Sequence, residues 1–178
     1  GNVEEALYLG FDAVAVHVNI SSSYESEMLK TLGQISRECE ITGMPLLALM
    51  YPRTENLDKT DNNYSELKTN NRIEYAKLVR HAARIGVEMG ADIIKTQYTG
   101  DEETFRSVVE SCQGVPVVIA GGPLIELNDI IKITYDVKNA GGAGVCFGRN
   151  SYNRENTSEF LKILRQIIHF NKTPQELL

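Results

Sequence analysis

The sequence predicts an α/β protein in which parallel strands alternate with helices, and three observations carry that expectation. Glycines recur where helices should end, at Gly10, Gly43, Gly90, Gly114 and Gly141. A left-handed C-terminal cap favours glycine at such positions. Each glycine is followed by a short run that is apolar on both faces, as in strands covered by helices on either side. Amphipathic patterns of helical period fill the intervals.

The first strand unit, 10–17, ends at His17, and the second, 43–51, ends at Tyr51. The third, 90–96, carries Lys95 at its end; the fourth, 114–122, ends in Gly121-Gly122; the fifth, 141–150, ends in Gly148-Arg149-Asn150. A helix is expected over 26–39, where Met28, Leu29, Leu32 and Ile35 share a face, and another over 75–89, with Ala76, Val79, Ala82, Ala83 and Val87. Residues 101–112 begin with acidic side chains that suit the positive end of a helix dipole. Helices over 127–139 and 157–170 complete the series, and Thr173-Pro-Gln-Glu176 reads as a capping box opening a short terminal helix. The chain begins in what reads as the last turns of a helix, Val3 to Leu9, so earlier units are expected before it.

Strict alternation implies right-handed crossovers between parallel strands, in an open doubly wound sheet or in part of an eight-stranded barrel. A complete barrel takes roughly 250 residues. Five units at this spacing, entered mid-helix, favour a TIM (β/α)8 barrel of which the chain holds about the last five βα units. Residues 1–178 then form the C-terminal part of a single domain. Two open sheet edges would make the isolated chain prone to self-association. A polar insertion at about 54–72 follows the second strand, on the face where such barrels keep their active sites; it reads either as a lid or as a tolerated surface loop.

The net charge of −6 argues against a nucleic-acid groove, so any phosphate site must be local. No run approaches the roughly 20 apolar residues of a membrane span. Cys39, Cys112 and Cys146 lack metal-ligand or disulfide spacing, and Cys146 reads as a small core residue. A reducing, cytoplasmic setting fits that usage.

Lys95 ends a buried strand, where an ammonium is costly to desolvate and the neutral amine is favoured. Such an amine suits Schiff-base attack on a carbonyl; a strand-end lysine also serves as a partner for a carboxylate or phosphate. By alternation, Ile93 and Gln97 share its face and Ile94 points at the helices; Leu47 and Leu49 share the face of Tyr51, and Ala13 and Ala15 that of His17. His17, Tyr51 and Lys95 are thus expected at matching strand ends. Gly121-Gly122 offers unobstructed backbone N–H groups, and Gly148-Arg149 adds a guanidinium fork; loops after the last two strands of such barrels often bind phosphate.

Met44-Pro-Leu-Leu-Ala-Leu-Met-Tyr-Pro-Arg53, His81-Ala-Ala-Arg-Ile-Gly86, the run Gly90 to Asp101, Val115 to Pro123 and Gly148-Arg-Asn150 together resemble the archaeal-type class I aldolases of the DeoC/LacD superfamily. That group includes fructose-bisphosphate aldolase, 2-amino-3,7-dideoxy-D-threo-hept-6-ulosonate synthase and the thiolase acting on phosphorylated autoinducer-2. The resemblance spans nearly the whole chain. It implies reversible carbon–carbon cleavage or formation on a phosphorylated ketose, with Lys95 forming the imine and Tyr51 moving the proton. It assigns Gly121, Gly122, Gly148 and Arg149 to phosphate binding and places His17 near the substrate. No metal and no cofactor is implied, because the protonated imine is the electron sink. The implied partner is a phosphorylated sugar or keto compound, with homo-oligomerisation of the full-length protein and no nucleic-acid or membrane partner.

Three departures bear on substrate. The family's catalytic aspartate lies on a first strand that the five units here do not include. Leu49 stands where the aldolase branch often carries Trp, which leans toward the heptulosonate synthase. The 54–72 insertion replaces the glycine that commonly follows Tyr-Pro-Arg. The Tyr-Pro-Arg motif itself disfavours the thiolase. The alternatives are therefore the transaldolase-type synthase or a phosphosugar-binding fragment without turnover.

Overall fold

The computed structural model describes residues 2–53 and 64–177. Among them five strands form one parallel sheet in the order β1-β2-β3-β4-β5: β1 (Val14–Ile20), β2 (Leu46–Pro52), β3 (Ile93–Thr96), β4 (Val117–Ala120) and β5 (Gly144–Cys146). Sequential strands are spatial neighbours throughout, the arrangement of barrel units rather than of a doubly wound sheet with a switch in strand order. Helices α1 (Val3–Tyr8), α2 (Glu25–Thr42), α3 (Ser65–Asn70), α4 (Arg72–Glu88), α5 (Glu102–Ser111), α6 (Leu127–Asn139), α7 (Arg149–Tyr152) and α8 (Thr157–Phe170) precede, connect and follow them, with a short 3-10 helix at Pro174–Glu176.

The expected cap glycines all take positive φ, and Gly43 closes α2 at φ 71°, where its N–H bonds the carbonyl of Cys39. A side chain would strain that backbone, which is why glycine punctuates the repeat. The expected capping box at Thr173 and Glu176 is present. Alternation along β2 and β3 sends Leu46, Ala48, Met50 and Ile94 to the helix side, where none is solvent-exposed. They meet Val79, Ala82 and Ala83 of α4, also without exposure. Gly86 lets α4 sit close: a Cβ there would stand 2.7 Å from both Ile94 Cδ1 and Met50 Cγ. Full burial of such aliphatic chains is worth about 1.5–3 kcal/mol each, so this layer dominates the fold's stability. A second cluster of Ile130, Phe160 and Leu164 joins α6 to α8.

Polar staples set the register. Asp92 accepts a hydrogen bond from the N–H of Leu46 at 2.8 Å, and buried Thr96 donates to the Met50 carbonyl at 2.7 Å. Asp101 caps α5 through the N–H of Thr104 and pairs with Arg72 at 2.8 Å, which ties the start of α4 to that of α5.

Four local readings change. Strand β1 continues to Ile20, because Val18-Asn19-Ile20 prolongs the alternation until Ser21 turns the chain at φ 78°. His17 therefore lies mid-strand opposite Leu49, and Asn19 lies opposite Tyr51. Cys146 is exposed rather than in the core, because it ends the short strand β5 where the sheet opens on a cavity. Arg149 is not in a loop but opens the short helix α7. Of the 54–72 insertion, 65–70 is helix α3 and Arg72 starts α4, while 54–63 lies outside the described residues.

Candidate active site

The strands' C-terminal ends open on a cavity of about 600 Å³. Tyr51 comes from β2, Lys95 and Gln97 from β3, Gly121 and Gly122 from the turn after β4, and Cys146, Gly148 and Arg149 from β5 and the start of α7. Six of the seven residues singled out in the sequence thus line one space. The seventh, His17, does not; it packs its ring against Tyr51 from β1.

Register explains the levels. His17 pairs across the ladder with Leu49, and Leu49 pairs with Lys95, so those three share a row. Tyr51 stands one pleat further toward the open end, on the same face. Lys95 is half-buried and has neither an ion pair nor a hydrogen bond among the described residues. Its amine is therefore not tied to a carboxylate there. On the other side of the strand, Ile94 and Thr96 are fully buried under the helices, which holds the lysine's backbone rigidly.

Tyr51 is itself buried, and burial pushes its phenol up to about 12; the neighbouring Cys146 adds to the rise and Arg53 opposes it. Arg53 lies over the ring, 5.8 Å from its centroid. A phenol with that value is protonated at neutral pH, so it enters a reaction as an acid. Burial lowers the pKa of His17 below its ordinary value, with Arg53 and Lys95 adding to the shift and a hydrogen bond to Asn19 at 3.0 Å opposing it.

The glycine turns are held together by a residue that sequence reasoning passed over. Asn150 is fully buried; its Nδ2 donates to the carbonyls of Gly121 at 2.8 Å and Pro123 at 2.7 Å, and its Oδ1 accepts from the N–H of Ile125 at 3.1 Å. The side chain thus clamps the β4 turn onto α7. Gly121 must lack a side chain, because a Cβ would stand 2.6 Å from Phe147 Cδ1. The signal for Asn150 was in the Gly148-Arg149-Asn150 motif, but its partners are 25–29 residues away in sequence. Arg53, Lys68, Tyr75, Tyr98 and Cys146 also line the cavity; none was singled out, because a lining role depends on how the loops fold over the sheet.

Residues 1–154 match the DeoC/LacD family aldolase profile. The chain belongs to that family. It is 40% identical over 177 residues to 2-amino-3,7-dideoxy-D-threo-hept-6-ulosonate synthase 1 of Archaeoglobus fulgidus, covering 99% of this chain and 60% of that protein. Among solved structures, a crystal structure of an archaeal fructose 1,6-bisphosphate aldolase superposes with a TM-score of 0.82 at 33% identity, covering 94% of this chain and 62% of the other. An archaeal fructose-1,6-bisphosphate aldolase whose catalytic Lys is covalently bound to the carbinolamine intermediate superposes with a TM-score of 0.81 at 32% identity, again over 94% and 62%. The chain therefore spans about 60% of the length of its family relatives, and its five βα units match part of a TIM barrel.

Proposed function

We propose that the chain carries the Schiff-base centre of a class I aldolase acting on a phosphorylated ketose, fructose-bisphosphate aldolase-like in chemistry. The observation that supports this most is the shared cavity: Lys95 and Tyr51 face it together with the Gly121-Gly122 and Gly148-Arg149 turns. Arg149 and the bare backbone of the turns suit a phosphate, which would fix the ketone carbon within reach of the amine. Lys95 Nζ adds to that carbon, the carbinolamine loses water, and the resulting iminium acidifies the neighbouring carbon, whose proton passes to water as the enamine forms. The enamine carbon attacks an aldehyde, whose oxygen takes the Tyr51 proton as the new carbon–carbon bond forms. Water then hydrolyses the iminium, releasing the ketose and restoring the amine, and Tyr51 takes back a proton from solvent. In cleavage the steps reverse, with the iminium's charge beside Tyr51 easing loss of its proton.

A second reading, the heptulosonate synthase, draws on the Archaeoglobus relative at 40% identity and on Leu49 in place of the aldolase branch's Trp. The raised phenol of Tyr51 suits it, because condensation calls on an acid. Cleavage of fructose 1,6-bisphosphate favours the first reading, and condensation with aspartate semialdehyde the second. Homo-oligomerisation of the full-length protein belongs to the same reading, and a phosphorylated metabolite as substrate agrees with a cytoplasmic protein. Sedimentation and cell fractionation test those two points.

The deciding experiment is reductive trapping. Incubation with dihydroxyacetone phosphate and borohydride should add the reduced ketone's mass at Lys95. Phosphate binding without an adduct would replace the aldolase reading with a phosphosugar-binding module.

A further inference from the structure

Lys68 lies on α3, in the insertion after β2, yet lines the same cavity as Lys95. Its Nζ donates to the carbonyl of Tyr98 at 2.7 Å and stands 5.6 Å from the ring centroid of Tyr75 and 5.9 Å from that of Tyr98. A carbonyl and two ring faces steady an ammonium without cancelling its charge, and among the described residues two of its three N–H donors remain for a ligand. No carboxylate pairs with Lys68 among the described residues. Burial, with the nearby Arg72 charge, lowers its pKa. Its anchor is the loop after β3, whereas Arg149 sits two strands away, after β5.

Resting on the aldolase reading of Lys95, we propose that Lys68 determines acceptor specificity, binding an anionic group, phosphate or carboxylate, on the half of the substrate remote from Arg149. The donor's phosphate then seats against Gly121, Gly122 and Arg149, the reacting carbonyls meet over Lys95, and the acceptor's anion reaches Lys68. An acceptor without charge loses that last contact and leaves a half-buried cation uncompensated.

Two measurements test the proposal. Titration of the protein with inorganic phosphate and with malonate, followed by amide NMR, should perturb two separate sets of signals: one around Gly121, Gly122 and Arg149, the other around Lys68 and Tyr98. Lys68→Met should abolish the second set and Lys68→Arg restore it. Perturbation of the first set alone, by both anions, would overturn the proposal. In turnover assays, kcat/KM for glyceraldehyde 3-phosphate or for aspartate semialdehyde, relative to glyceraldehyde, should fall at least tenfold in Lys68→Met; the acceptor affected identifies the anion. An equal fall for all three would make Lys68 only a clasp for α3 and overturn the specificity role. Failure of wild-type trapping at Lys95 would refute the aldolase reading alone, and the NMR titration would still decide Lys68.

Discussion

The imidazole of His17 meets the phenol ring of Tyr51 edge to face, with centroids 5.0 Å apart and planes at 87°. This contact places His17 beside Tyr51 as a buttress for its ring. Edge-to-face pairs are worth about 0.5–1.5 kcal/mol beyond simple burial. A double-mutant cycle of His17→Leu and Tyr51→Leu, read by urea denaturation, should return a coupling of about that size. A coupling indistinguishable from zero would remove the buttress.

The same histidine carries a pH dependence. Burial holds its folded-state pKa below 6.5, so the unfolded chain binds its proton first as pH falls. The stability it contributes is complete above about pH 6.5 and is lost as pH drops through the lower, folded value. Denaturant midpoints measured at pH 7.5 and pH 5 should fall further for wild type than for His17→Leu. Matching drops in the two proteins would contradict the assignment.

Tyr51, with its phenol pushed up to about 12, should remain protonated when exposed tyrosines ionise. Absorbance titration to pH 11 should show the same number of ionising phenols in wild type and in Tyr51→Phe. If aldol chemistry is observed, Tyr51→Phe should slow it about 10²–10⁴-fold, the usual contribution of general acid–base catalysis, while borohydride still labels Lys95. Loss of the label would instead give Tyr51 a part in imine formation.

At Asn150, replacement by Ala strands the carbonyls of Gly121 and Pro123 and the N–H of Ile125. Unsatisfied buried groups cost about 1–3 kcal/mol, and phosphate affinity should weaken as the β4 turn loosens. Arg149→Met should weaken phosphate about 10–100-fold, the worth of a charge-assisted hydrogen bond, without a comparable loss of stability. Calorimetry with inorganic phosphate and thermal melts separate the two variants; equal destabilisation by both would assign Arg149 a structural role.

Gly86→Ala should destabilise the fold by about 1–3 kcal/mol, since overpacking forces Ile94 and Met50 off their positions. A urea midpoint equal to wild type would mean that α4 can ride away from the sheet without penalty.

The periodic features were legible in the amino-acid order because they are local. A glycine after each helix reports a left-handed cap, and apolar runs such as Leu46 to Met50 report a strand, its Leu46, Ala48 and Met50 buried under helices. Helices α6 and α8 have the expected bounds, and five of the expected cap glycines have the expected backbone. The extent of β1 was less legible, because Val18-Asn19-Ile20 continues a strand as readily as it leaves one, and pairing with Met50-Tyr51-Pro52 decides it. Helix α3 was hidden in a polar stretch whose own apolar signal is weak.

Chain order alone therefore determined the alternating α/β architecture, the placement of Lys95 and Tyr51 on strands, and the two glycine turns, all governed by period and backbone freedom. Tertiary structure decided which of these side chains share a cavity, that Asn19 rather than His17 stands level with Tyr51, that Cys146 lies exposed at the cavity rather than in the core, and that Lys68 reaches Tyr98 across 30 residues of sequence. Those outcomes depend on strand register and on contacts between distant segments, whose energies arise only once the sheet has brought them together.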